Sequence, residues 1–154
     1  RDDDWMDYQV FLYDRWGSGL YGSAAIAGAR PGAPIATSWA VMNYLGVEGY
    51  CELMKSVMEV TGKFKDLVST IEGIDLVGNP IGPVIALKSD VIDLYGVGEA
   101  MEKKGWHLNL NTSPKGLHLM FSPIHSKVID KLCADFEEAI TNHEKPTTDV
   151  IRYS

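Results

Sequence analysis

Two cysteines in 154 residues, Cys51 and Cys133, are too few for a disulfide framework and too few for a zinc cage. Each falls on a predicted helix among apolar neighbours, so both read as buried, reduced thiols, which suits a reducing, cytoplasmic compartment. Positive charge is also in deficit. Fourteen Lys and Arg stand against 21 Asp and Glu, a net charge of −7 with His neutral. Nucleic-acid binders carry a basic surplus, so that class is set aside. No run approaches about 18 uninterrupted apolar residues, so no transmembrane helix is expected, and no signal-peptide pattern is present. A serine hydrolase's Gly-x-Ser-x-Gly elbow is missing. Histidine is sparse. His107 and His118 fall in predicted strands with no second ligand at metal spacing, and His125 and His143 open and close the last predicted helix, so all four read as structural or surface residues. Asp2-Asp3-Asp4 lacks the alternating oxygen pattern of a calcium loop and reads as a solvated terminus. Neither internal repeats nor low-complexity tracts occur.

What remains is a globular composition, 45% hydrophobic and 23% charged. A chain of this length buries roughly 70% of its unfolded surface, enough for one domain or two small lobes. Residues 8–14 are aromatic and β-branched and predict a short strand. Residues 15–34 hold five glycines in twenty positions and two prolines, a composition that predicts a long shaped loop and no regular element. A helix is expected from Ile35 to Leu45, with Pro34 in its first turn. Gly46 and Gly49 punctuate it. A second helix runs from Val47 to Ile71, with Tyr50, Leu53, Met54, Val57, Met58, Phe64, Leu67, Val68 and Ile71 on one face; Met54 and Met58 read as core.

After Gly73 the period shortens. Strands are expected at 74–77 and 84–87, a helix at 93–104 closed by Gly105, strands at 106–110 and 117–121, and a helix at 126–143. Trp106, Leu108 and Leu110 share one face of the third strand. The tail from Glu144 reads as an arm. This is an α/β (α+β) pattern, β-β-α-β-β-α, with a small, largely antiparallel sheet and helices on one face. The first fifty residues complete no sheet of their own and read as the end of a larger domain. The chain opens without Met on Arg1-Asp2-Asp3-Asp4-Trp5, as a piece of a longer polypeptide would.

The most informative segment is Gly17 to Pro34. Glycines let backbone N–H groups approach an anion, and the helix start that follows adds partial positive charge. Ser23 offers a hydroxyl, Arg30 a bidentate partner for an anionic group, and Tyr21 a phenol able to donate or accept a proton. No Gly-Lys-[Ser/Thr] follows, so this is not a Walker loop, and no strand-GxGxxG-helix order makes it a dinucleotide fingerprint. The residues alone leave two readings: an anion or phosphate site, or a packing loop in which Arg30 neutralises a nearby Asp.

At this loop the sequence WGSGLYGSAAIAGARPGA resembles the sphingosine-1-phosphate lyases, whose pattern is approximately GGxYxSPTxAGSRPG. Gly19, Tyr21, Ser23, Ala27, Gly28, Arg30, Pro31 and Gly32 are kept. The resemblance continues through Trp39, Gly49-Tyr50, Gly78-Asn79-Pro80, Val84-Ile85-Ala86-Leu87, Lys104-Gly105-Trp106 and Leu108-Asn109, and so covers nearly the whole chain. It implies a fold type I pyridoxal 5′-phosphate enzyme, related to the group II decarboxylases. Residues 1–46 would be the end of the large cofactor-binding domain, with the glycine-rich loop at 17–34. Residues 47–154 would be a linking helix and the C-terminal small α/β domain.

The family's cofactor lysine follows a His. None of the ten lysines here does, so the resemblance places the covalent anchor outside these residues and implies that the chain alone is inactive. Two departures stand out: Ala24-Ala25 replaces the family's Pro-Thr, and Ala29 replaces the serine expected to bond the cofactor phosphate of a neighbouring subunit. The implied reaction is cleavage of the Cα–Cβ bond of a phosphorylated sphingoid base in a homodimer. Tyr21 would be the catalytic candidate, and Ser23, Gly28, Ala29 and Arg30 the cofactor-binding ones. Arg30 pairing internally to hold the loop stands beside that assignment. The implied location is cytoplasmic, or cytosol-facing if the parent is anchored upstream. A decarboxylase of the same fold and a non-catalytic α/β dimerisation module are the alternatives.

Overall fold

The aromatic segment after Val10 finds its partner in the glycine-rich stretch that follows it. In the computed structural model, which describes residues 4–24 and 28–145, β1 (Phe11–Trp16) and β2 (Gly19–Ser23) form an antiparallel hairpin. Gly17 and Ser18 make the turn, and Gly19 leaves it at φ 104°, a conformation that favours glycine. Leu12 stands opposite Gly22, its Cδ2 only 3.2 Å from where a β-carbon would be. These glycines therefore permit the strand. The expectation of no regular element across residues 15–34, and of no sheet in the first fifty residues, is corrected on both points. A single turn, α1 (Asp4–Asp7), precedes the hairpin. Asp2, Asp3, Ala25, Ala27 and the tail beyond Lys145 lie outside the described residues.

α2 (Gly32–Thr70) is two helical segments broken at Gly46, as expected; the first begins three residues before the expected Ile35, and the second runs through Gly49 and Gly62. Its one departure from helical dihedrals is Gly46, at φ 61° and ψ −176°. That pair of angles is confined to residues without a side chain. The boundary between two compact units, Arg1–Gly46 and Val47–Ser154, falls at the same residue. Among the described residues of the first unit, none is buried.

The second unit carries the core. β3 (Asp75–Leu76), β4 (Val84–Lys88), β5 (Asn109–Thr112) and β6 (Lys115–Met120) form an antiparallel sheet in the order β3-β4-β6-β5. α3 (Leu94–Lys103) and α4 (Ile129–Asn142) complete the expected β-β-α-β-β-α order. Ile85 and Leu87 of β4 alternate inward with Leu117 and Leu119 of β6, and join Phe64, Val68, Val97, Met101, Leu132 and Phe136 in one cluster. Asp93 caps α3 by accepting a bond from the Tyr95 N–H, and Gly105 stops it at φ 87°.

Three expectations shift. β5 begins at Asn109, so Trp106 and Leu108 precede the strand; both still pack on the core, with the Trp106 backbone N–H bonded to the Met101 carbonyl. A short 3-10 turn, Pro123–Lys127, takes the place of the first turn of the last helix and holds His125. The α2 stripe reaches the core only from Val57 onward. Met54 is 50% exposed, Tyr50 and Leu53 are exposed, and Cys51 is an exposed thiol instead of a buried one. Cys133 is half-buried, and desolvation raises its pKa.

One carboxylate ties the helices together. Asp135 on α4 accepts bonds from Lys131 and, at 2.7 Å, from the Trp106 indole N–H. Lys104, the C-cap of α3, lies 3.5 Å from Asp135 and 2.8 Å from Glu138. The Lys131 bond first, then the Trp106 bond, hold the Asp135 carboxyl down at about 2 from 3.8. A depressed folded-state pKa contributes stability that is full above the unfolded value and lost as pH falls. The stability advantage of the native chain over Asp135→Asn should therefore be constant at neutral pH and shrink between about pH 4 and pH 2. Urea midpoints measured across that range check it; a gap that is independent of pH overturns the assignment.

Candidate functional site

The hairpin determines where the first candidates stand. Tyr21 and Ser23 are two apart on β2, so their side chains share a face. Tyr13 and Phe11 are their cross-strand partners and share that face too. Between Tyr13 and Trp16 the register shifts by a bulge. Three residues after Tyr13, regular alternation would send Trp16 to the opposite face; the bulge restores it to this one. Phe11, Tyr13, Trp16 and Tyr21 together line an aromatic cleft of about 340 Å³. The Phe11 and Tyr21 rings are 6.3 Å apart and tilted by 59°.

Gly28, Ala29 and Arg30 follow on the far side of residues 25–27 and lead into α2. Gly28 stands at φ 21°, and a β-carbon there would meet nothing within 4 Å. Ala29 and Arg30 are exposed. Among the described residues no ion pair or hydrogen bond engages the Arg30 guanidinium. The first N–H groups of α2, on Gly32 and Ala33, have no intrahelical partner, and Pro34 has no N–H to leave unpaired. Arg30 and this helix start concentrate positive charge within four residues.

Sequence reasoning found Tyr21 and Arg30 but not Phe11, Tyr13 or Trp16. The signal was the two-residue spacing of aromatics in Phe11 and Tyr13, matched by Tyr21 across a short turn. The His residues stay outside this site. His125 accepts the Ser122 N–H on Nδ1 at 3.0 Å, and His143 Nδ1 lies 2.7 Å from the Ile140 carbonyl oxygen, so both serve helix ends.

The sequence is 36% identical over 133 residues to the sphingosine-1-phosphate lyase of Oryza sativa subsp. japonica, a match covering 86% of this chain and 25% of that protein. The structure superposes on a sphingosine-1-phosphate lyase of Burkholderia pseudomallei K96243 with a TM-score of 0.80 at 31% identity, covering 93% of this chain and 33% of that one. The chain belongs to the sphingosine-1-phosphate lyase family, as the counterpart of one part of it. It spans about a quarter of the length of the curated relatives it matches. A cysteine desulfurase from Escherichia coli shares the fold, with a TM-score of 0.64 at 11% identity over 86% of this chain and 37% of that one. That likeness concerns architecture alone, the mixed α/β arrangement of fold type I. No protein-family model matches the chain. Against the lyase pattern, the two alanine departures fall beside Ser23 and Arg30, in the segment that carries the candidate phosphate contacts.

Proposed function

We propose that this chain forms part of a pyridoxal 5′-phosphate-dependent aldehyde-lyase that cleaves the Cα–Cβ bond of phosphorylated sphingoid bases to a long-chain aldehyde and phosphoethanolamine. The observation that carries the reading is continuous similarity to sphingosine-1-phosphate lyases across 86–93% of the chain. The residues present suit one end of that cofactor. Its phosphate calls for a guanidinium and free backbone N–H groups, and Arg30 with the first turn of α2 offers both. Its aldehyde calls for a lysine amine, which the lyase resemblance places after a His, and no His-Lys pair occurs in this sequence. When bound, the cofactor supplies the electron sink for carbon–carbon cleavage.

The chain's own part is to bind and to handle protons. Arg30 neutralises phosphate charge, and Gly28 lets the backbone approach without a side chain in the way. Ala29 contributes its N–H where the family has a hydroxyl. Ser23 sits at the end of β2, next to the loop. The Tyr21 hydroxyl is the donor for an oxygen on which charge changes during cleavage. A homodimer, in which this loop serves the partner's cofactor, completes the reading, in a reducing compartment that keeps Cys51 and Cys133 as free thiols.

Product analysis on the whole polypeptide tests the proposal. Release of long-chain aldehyde and phosphoethanolamine supports it; release of CO₂ from amino acids instead overturns it in favour of the decarboxylase. Within that polypeptide, Tyr21→Phe should lower turnover by about 100-fold while leaving the unfolding midpoint in place. Unchanged turnover removes Tyr21 from the machinery.

A further inference from the structure

We infer that Phe11 is a positioning residue for the Tyr21 hydroxyl, the group that the proposed function uses as a proton donor. The inference rests on that proposed function for its consequence, and on the β1–β2 hairpin alone for its geometry. Tyr21 has no bulky neighbour on its own strand: the residues two before and two after it, on the same face, are Gly19 and Ser23. Among the described residues no core packs on it either, for it is 47% exposed. What restrains the ring comes from across the hairpin. Tyr13 stands directly opposite it, Phe11 lies on the diagonal, opposite Ser23, and Trp16 is returned to the same face by the bulge.

Phe11 is the ring that engages two others. Its centroid lies 6.3 Å from that of Tyr21, tilted by 59°, and 6.4 Å from that of Tyr13, near parallel at 13°. Both distances are those at which aromatic pairs attract. The Tyr21 hydroxyl oxygen lies on the Cβ–Cζ axis of its ring, so a ring flip leaves it in place and a change of χ1 carries it elsewhere. Side chains choose among staggered χ1 wells. Phe11, itself braced by Tyr13, favours the well that keeps the Tyr21 ring against it. A phenyl group has no proton to give or take, so an effect of Phe11 on turnover must pass through another group.

A kinetic double-mutant cycle in the whole polypeptide tests this, with unfolding midpoints as the control for folding. Phe11→Ala should lower kcat by about threefold to tenfold, the preference that one ring pair supplies, and leave KM in place. In the Tyr21→Phe background, where the ring stays and only the hydroxyl is gone, Phe11→Ala should change kcat by less than about twofold. Phe11→Tyr, which keeps the ring, should stay within about twofold of the native kcat. Phe11→Leu takes the place of Phe11→Ala in the cycle if the alanine variant misfolds. Equal losses in the two backgrounds overturn the inference, as does native turnover in Phe11→Ala. The two readings fail separately, because the assay follows whichever bond the whole polypeptide breaks. Aldehyde release with equal losses in both backgrounds rejects the role of Phe11 alone. Release of CO₂ in place of aldehyde rejects the lyase reading, and a loss confined to the native background then keeps Phe11 as the residue that aims Tyr21. A silent Tyr21→Phe rejects the role of Tyr21 and that of Phe11 with it.

Discussion

Gly116→Ala should cost the Val47–Ser154 unit about 3 kcal/mol, at the top of the range for forcing atoms into a packed core. Gly116 lies in β6, with Lys88 of β4 on one side and Asn111 of β5 on the other. A β-carbon there would overlap the Leu87 carbonyl oxygen and stand 3.0 Å from the Leu87 carbonyl carbon. Both are backbone atoms of the neighbouring strand. A flexible side chain would swing aside; a backbone carbonyl moves only with its strand, and Leu87 is itself fully buried. Gly82→Ala is the control, because a β-carbon there meets nothing within 4 Å. Urea unfolding followed by far-ultraviolet circular dichroism should show a large drop in midpoint for Gly116→Ala and almost none for Gly82→Ala. Equal midpoints overturn the packing argument.

Gly116 also shows where sequence reasoning ran short. Alternation marked 117–121 as a strand, because Leu117, Leu119 and Phe121 repeat with period two. Nothing in the sequence says that the residue before them needs to be bare; that requirement comes from the neighbouring strand's carbonyl. The same holds for the hairpin. Glycine content argued for a loop, since local propensity treats each glycine as lost order. Only the pairing of Leu12 with Gly22 reveals that the absent side chain makes room. Elements with a strong period of their own were legible: α3 with its Asp93 cap and Gly105 stop, α4, and the β3–β4 pair.

Within the candidate site the divide is similar. Tyr21, Ser23, Gly28, Ala29 and Arg30 were singled out by residue chemistry and by a family pattern. The cleft beside them depends on a bulge between Tyr13 and Trp16, and a bulge is a one-residue slip that regular alternation hides. Met54 and Cys51 were misjudged for the reverse reason. The helical period continues through them, but the sheet and α4 supply a surface to pack against only from Val57 onward.

Phe64→Ala should be the most damaging truncation in the core, at about 3–5 kcal/mol. The Phe64 ring is fully buried, 5.4 Å from the Phe121 ring and 5.1 Å from that of Phe136, tilted by 50° and 59°. It is the one side chain in this trio that faces both others, so α2, the residue that follows β6 and α4 meet through it. Small domains are stable by only about 5–15 kcal/mol, so the variant should unfold at a clearly lower urea midpoint than the native chain. Phe64→Leu keeps most of the volume and should recover over half of the loss. The decisive comparison is a double-mutant cycle with Phe136→Ala. If the rings act as one cluster, the second truncation removes contacts the first has already broken, and the double variant loses less than the two single losses combined. Additive losses would mean that Phe64 and Phe136 bury area independently, and that α2 is held to α4 by the rest of the core cluster and not by the ring contact.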